Sequence, residues 1–179
     1  MKWETVRLGE ICEFAYGKSL PAKSRSGSGF PVFGSNGEVG LHETSLTKSE
    51  TIIVGRKGSF GEVNYCTGPC SPIDTTYYIT NEQTDAYIPW LARRLSCLGL
   101  NTLNKAAAIP GLNREDAYRQ KLLLPPLEEQ KRIAGILDAA DILRAKRREA
   151  LARLDDLLQS TFLDLFGDPV TNPKGWEVN

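Results

Sequence analysis

Apolar residues in the last third of the chain recur at intervals of three and four: Ile133, Ile136, Leu137, Ala140, Leu143, Ala150, Leu151, Leu154, Leu157, Leu158, Phe162 and Leu165. That spacing traces one stripe along a helix. Just upstream, the apolar run Leu122, Leu123, Leu124 is stopped by Pro125 and Pro126, and Pro126 suits a first helical turn, where its missing N–H costs nothing. Glu128 and Glu129 then stand at the positive end of the helix dipole. No proline recurs before Pro169, and Gly167, Asp168, Pro169 form a stop signal, so the pattern predicts a helix of about 40 residues, roughly 60 Å long. A stripe of that length needs cover from another helix, supplied by a second copy or by a continuation of the same polypeptide. The expected pairing positions are Ile133, Leu137, Ala140, Leu151, Leu154, Leu158 and Phe162. Arg144, Lys146, Arg147 and Arg148 interrupt the stripe and read as a solvated face.

Before Pro125 the period changes. Short β-type runs at residues 30–33, 51–54, 62–65, 76–80 and 120–124 are separated by glycine- and serine-rich stretches, which predicts a mixed sheet with long loops. A helix is expected over residues 86–98, with Pro89 in its first turn and Ile88, Leu91, Ala92, Leu95 and Leu98 on one face. A shorter one is expected to start at Asn113, whose side chain caps a turn containing Glu115 and Asp116. The fold class is α+β: a mixed or antiparallel twisted sheet with short helices, followed by the long helix. Trp3, Phe14, Tyr77, Tyr78 and Trp90 sit in or beside apolar runs and read as core, and Asp74 reads as a turn leading into a strand.

With 179 residues and 41% hydrophobic content, the chain fits one domain plus an appendage. Its 22 basic and 22 acidic residues cancel, so nucleic-acid binding has to come from local clustering. Up to Leu124 there are 14 basic and 12 acidic side chains, and beyond it 8 and 10, so neither part is a basic tail. No stretch is apolar enough to span a membrane and the N-terminus lacks a signal-peptide core, which leads to the expectation of a cytoplasmic protein. Cys66 and Cys70 form a C-x-x-x-C pair, but the single histidine, His42, lies far from it; Cys12, Cys66, Cys70 and Cys97 read as buried thiols, with no metal site. Lys174, Gly175, Trp176, Glu177, Val178 echo Lys2, Trp3, Glu4, Thr5, Val6, as if another copy begins there.

The loop Gly55, Arg56, Lys57, Gly58, Ser59, Phe60, Gly61 leaves a strand with three glycines, two adjacent cations and a hydroxyl. Glycine lets backbone approach phosphate and arginine forks onto guanine O6 and N7, while a plain hairpin turn with solvated cations fits the same residues. Both readings stand. Lys18, Lys23 and Arg25 lie in a Gly/Ser-rich stretch suited either to ordering on a phosphate backbone or to a flexible surface loop. Ser35 and Asn36 can present an amide to adenine, yet Asn36-Gly37 is first a turn former. Lys105, Asn113 and Arg114 flank residues 109–112 as another contact edge, with helix capping the competing role of Asn113. The candidate DNA-contacting residues are therefore Lys18, Lys23, Arg25, Ser35, Asn36, Arg56, Lys57, Ser59, Lys105, Asn113 and Arg114. No amino-methyltransferase motif, P-loop or nucleophile–histidine pairing is evident, so no catalytic residue is assigned.

Leu124, Pro125, Pro126, Leu127, Glu128, Glu129, Gln130, Lys131, Arg132, Ile133, Ala134, then Ile136 and Leu137, resemble the start of the conserved helical region in specificity subunits of type I restriction-modification systems. The resemblance continues through residues 33–40, 51–61 and 109–113. It implies a target-recognition, DNA-binding domain over residues 1–124, a conserved spacer helix over 125–167 that pairs as an antiparallel coiled coil, and the start of a second repeat or a tail over 168–179. By that likeness the protein is no enzyme. It reads one half of a split double-stranded DNA site and scaffolds modification (methyltransferase) and restriction subunits, which bring S-adenosylmethionine, ATP and Mg while this chain holds no cofactor. Its second specificity half comes either from the same full-length chain or from a homodimer. The competing reading is a helical assembly protein with no sequence-specific DNA binding of its own.

Overall fold

A computed structural model describes residues 3–103, 111–168 and 170–176. The strands are β1 (Glu4–Arg7), β2 (Ala15–Tyr16), β3 (Phe30–Gly34), β4 (Gly37–His42), β5 (Thr51–Gly55), β6 (Val63–Cys66), β7 (Ser71–Pro72), β8 (Thr76–Ile79) and β9 (Lys121–Leu124), and the helices are α1 (Ile88–Ser96), α2 (Arg114–Tyr118) and α3 (Leu127–Phe166). The chain divides into two compact units, Met1–Ala134 and Gly135–Asn179.

In the first unit the strands form sheets ordered β1-β9, β2-β8-β5-β6 and β4-β3-β7. Every pairing is antiparallel except β3 with β7. Strand β5 is central because Thr51, Ile52, Ile53, Val54 and Gly55 are all buried, and its β-branched run suits a strand covered on both faces. Each of the five anticipated strands forms, with ends shifted by a residue. Strands β1, β2, β4 and β7 were not anticipated. β2 and β7 have two residues each, and β4 carries two glycines; they exist through the neighbours that pair with them. Strands β3 and β4 close a hairpin on Ser35 and Asn36, with Gly34 opposite Gly37, so the Asn-Gly pair does make the turn.

Helix α1 presents Ile88, Leu91, Ala92 and Leu95 to a core shared with Leu8, Phe14, Ile52, Val54 and Ile79. It ends at Ser96, short of Leu98, with Cys97 as its C-cap. Cys97 is therefore exposed and Cys66 half-buried, a correction to the expectation of uniformly buried thiols that holds only for Cys12 and Cys70. Trp3 and Tyr78 are likewise half-buried, whereas Phe14, Tyr77 and Trp90 are core.

Helix α3 runs for 40 residues. In the first unit, its Gln130 and Ala134 are buried and Ile133, expected among the pairing positions, packs against the core. In the second unit the remaining pairing positions stand exposed, Leu158 by 72%, apart from the half-buried Ala140. Gly167 stops the helix: at φ +80° its N–H returns to the Leu163 carbonyl at 2.8 Å. The echoed segment then caps the open end, because the Lys174 ammonium bonds the Asp164 and Leu165 carbonyls and Trp176 Nε1 donates to the Phe166 carbonyl at 2.7 Å.

Candidate nucleic-acid interface

The loop between β5 and β6 is clamped rather than free. The Thr75 carbonyl accepts from Arg56 N at 2.9 Å, Lys57 N at 3.1 Å and Ser35 Oγ at 2.6 Å, so one oxygen gathers the β3–β4 turn and the β5–β6 loop onto the β7–β8 turn. Leu112 N donates to the Arg56 carbonyl at 2.9 Å, which adds the segment before α2. Two of the loop's three glycines serve this packing instead of leaving room for phosphate. A Cβ on Gly55 would lie 2.2 Å from the Ser59 carbonyl oxygen, and one on Gly61 2.2 Å from Asn101 N. Only Gly58 faces open space.

Onto this clamp the fold brings an aromatic and cationic cluster. Alternation along the strand puts Phe14 and Tyr16 on one face, and β2 pairs with β8 so that Tyr16 meets Tyr77, with ring centroids 5.2 Å apart. The Arg56 guanidinium lies 5.3 Å from the Tyr16 centroid and 5.9 Å from that of Tyr77; the Arg114 guanidinium lies 5.6 Å from Tyr16 and 5.8 Å from Tyr118. The rings are anchored beneath: Tyr118 Oη accepts from Phe14 N at 2.7 Å, and Tyr77 Oη donates to the Leu112 carbonyl at 3.3 Å. Burial raises the Tyr77 and Tyr118 hydroxyls above the ordinary tyrosine range, with Arg56 and Arg114 pulling Tyr77 the other way. Both tyrosines stay neutral donors or acceptors at physiological pH. Arg56 Nη2 donates to the Asp74 carbonyl at 2.8 Å, while its buried Nε has no partner among the described residues. Among the described residues neither Arg56 nor Arg114 forms a salt bridge.

Of the residues singled out by sequence, Ser35, Asn36, Arg56, Lys57, Ser59, Asn113 and Arg114 share this end of the sheet. Ser35 is buried in the clamp, Asn36 is exposed and accepts from Ser59 Oγ at 3.4 Å, and Lys57 is exposed. Asn113 caps α2, accepting from Glu115 N at 2.8 Å. Lys18 and Lys23 are exposed, Lys18 two residues past β2 with its N–H donating to the Pro72 carbonyl at 3.0 Å, and Lys23 in a short turn. Arg25 is occupied, donating to the Val39 carbonyl at 2.7 Å and the Leu20 carbonyl at 3.3 Å, which pins the Gly/Ser-rich stretch to β4. Lys105 lies outside the described residues. Sequence reasoning passed over Tyr16 and Tyr118 and placed Tyr77 only in the core. The Phe14–Tyr16 alternation ahead of Gly17 and Lys18 was the available signal. Among the described residues no group of His, Cys, Asp and Glu is arranged to hold a metal ion, and no helix is long and apolar enough to cross a membrane.

Residues 1–153 match a family described as the type I restriction modification DNA specificity domain. The chain is similar to the type I restriction enzyme EcoprrI specificity subunit of Escherichia coli, 28% identical over 142 residues that cover 76% of this chain and 35% of the relative. It is also similar to a putative type I specificity subunit, S.MpnORF507P, of Mycoplasma pneumoniae, 26% identical and covering 97% of this chain and 48% of the relative. Among solved structures, its fold matches the type I restriction-modification S subunit from M. genitalium at a TM-score of 0.70, with 22% identity over 93% of this chain and 46% of that one. The HsdS subunit from Thermoanaerobacter tengcongensis matches at 0.63, with 24% identity over 92% and 45%. The chain thus spans less than half the length of these relatives.

Proposed function

Because the chain belongs to the type I restriction modification DNA specificity domain family, we propose that it reads one half of a split double-stranded DNA site and scaffolds the subunits that act on that DNA. The observation that carries this reading is the convergence of Arg56 and Arg114, neither in a salt bridge among the described residues, on an exposed tyrosine at the clamped end of the sheet. Residues 1–124 form the target-recognition domain. Residues 125–167 form the spacer helix, whose exposed Leu151, Leu154, Leu158 and Phe162 pair antiparallel with a like helix, from the same full-length polypeptide or from a second copy. Residues 168–179 open a second repeat or a tail. The chain does no chemistry itself and works in the cytoplasm. Modification subunits bring S-adenosylmethionine and flip the target base, and the restriction subunit brings ATP and Mg.

Lys57 and, outside the cluster, Lys18 and Lys23 supply phosphate contacts, which position the domain without specifying sequence. Selecting duplexes from a random pool with the methyltransferase-loaded complex tests the reading. Arg56→Ala is expected to lose discrimination at one base position, by about 1 to 3 kcal/mol. Lys23→Ala should weaken every duplex alike and flatten the salt dependence. A loaded complex indifferent to DNA sequence would instead favour the helical assembly protein that the exposed leucines of α3 also fit.

A further inference from the structure

We infer that Tyr16 is a positioning residue that holds Arg56 and Arg114 as a paired reader of guanine, so that the half-site recognised contains G·C pairs read in the major groove by these two side chains. The inference rests on the DNA-recognition reading and goes beyond it by naming the base class and the residue that enforces it.

Among the described residues neither guanidinium forms a salt bridge, so no carboxylate within ion-pair reach holds either one. What holds them is ring density. Among the described residues, Tyr16, 52% exposed, is the one ring shared by both cations, with Tyr77 the second ring near Arg56 and Tyr118 the second near Arg114. Among the described residues, hydrogen bonding adds one tie, from Arg56 Nη2 to Asp74 O, and gives the buried Nε no partner. The orientation of the Arg56 plane is therefore set by the Asp74 hydrogen bond together with the Tyr16 and Tyr77 rings.

A planar donor fork fixed in advance suits a planar pair of acceptors. Guanine presents O6 and N7 side by side in the major groove, whereas adenine presents a donor beside its N7 and cytosine presents only a donor. Phosphate also accepts an arginine fork, but such a contact positions the domain without reading sequence, so base selection is what separates the two roles. Pre-ordering two arginines before the ligand arrives lowers the cost of ordering them in the complex, a gain that matters most where geometry discriminates.

The test selects duplexes from a random pool using the full chain assembled with its modification subunits, and measures both base preference and the dependence of affinity on salt. The wild-type complex is expected to select guanine at positions that lose it, by about 5-fold or more, in Arg56→Lys and Arg114→Lys, which keep the charge and lose the fork. Tyr16→Leu is expected to flatten both positions together with the salt slope unchanged, and Tyr16→Phe, which keeps the ring face, to restore them. Replacing the selected guanines with 7-deazaguanine should weaken wild-type binding and add nothing to the loss in the lysine variants. A thermal melt establishes that each variant is folded, and if Tyr16→Leu is not, the two lysine variants and the modified base decide. Guanine selection that persists in the lysine variants, with the affinity for every duplex changed alike, would mark both arginines as phosphate contacts and overturn the inference. A wild-type complex that selects no sequence overturns the DNA-recognition reading itself, which separates the two failures.

Discussion

Gln130 bonds through both ends of its carboxamide: Oε1 accepts from the Tyr87 N–H at 2.9 Å and Nε2 donates to the Pro125 carbonyl at 2.8 Å. The side chain is 4% exposed, and Tyr87 is the N-cap residue of α1, so this one residue joins the first turn of α3 to the start of α1. Gln130→Leu leaves a buried donor and a buried acceptor unmet and is expected to cost about 2 to 4 kcal/mol in urea titrations. Gln130→Glu keeps the acceptor for Tyr87 and loses the donor for Pro125 until its carboxyl is protonated. Its folded-state pKa is then raised, so its stability deficit should shrink as pH falls and grow as pH rises through that value. Equal stability of Gln130→Glu at pH 5 and pH 8, relative to wild type, would rule this out.

The four cysteines should react in order of burial. Burial pushes the Cys12 thiol up to about 12 and, against hydrogen bonds from Thr47 and Thr51, the Cys70 thiol up to about 11. Iodoacetamide at pH 8 followed by mass spectrometry should label the exposed Cys97 first and the half-buried Cys66 next, with Cys12 and Cys70 protected until the chain is unfolded. Because the folded pKa of Cys12 is raised from 9.0, its contribution is complete below pH 9 and is lost as pH climbs toward 12. Wild type minus Cys12→Ala should therefore lose about 1.4 kcal/mol of relative stability per pH unit above 9. A flat difference between pH 8.5 and 10.5 would show that the thiol titrates normally.

The parts of this structure that were legible in sequence are those whose signal is local. Thr51 to Val54 read as a strand because β-branched residues stand together, and α3 read to within two residues at its start and one at its end because Pro126 and Gly167 bracket a continuous period. The pairing of β1 with β9, which sets Val6 opposite Leu122, leaves no local trace, since the partners lie at opposite ends of the first unit. The site divides in the same way. Arg56, Lys57, Asn36 and Arg114 stand out by residue type and turn context, whereas Tyr16 matters only once β2 sets it against β8 between two guanidiniums. Arg25 reads as a free cation because its acceptors come from Leu20 and Val39, and no spacing rule connects them.

Asn113 separates capping from base reading. Its Oδ1 is engaged by Glu115 N, and Glu115 and Asp116 in the first turn of α2 add the favourable dipole pairing. Asn113→Ala is expected to cost about 1 kcal/mol of stability, while Asn113→Asp keeps an acceptor and stays near wild type. The cap also fixes where α2 begins, and Arg114 is its first residue. Asn113→Asp should therefore leave DNA preference intact. A changed preference in that variant, without a change in stability, would make the Asn113 amide a direct contact.

The exposed leucines of α3 give the remaining prediction. Among the described residues, the i,i+3 pair Glu129–Arg132 at 2.6 Å lies in the first unit, and the exposed i,i+4 pair Glu149–Arg153 at 2.6 Å contributes only about 0.3 to 0.5 kcal/mol. That is too little to hold so long a helix alone, and Leu143, Leu151, Leu154, Leu157 and Leu158 are each more than half exposed. Burying a leucine against a partner helix contributes about 1.5 to 3 kcal/mol, so a paired stripe outweighs all the surface ion pairs together. Replacing Leu151 and Leu158 with glutamate should lower the sedimentation coefficient of a self-associated chain and reduce its helical circular dichroism, with the Gln130 and Asn113 contacts of the first unit untouched. Unchanged sedimentation and helicity in the double variant would show that this face carries no pairing.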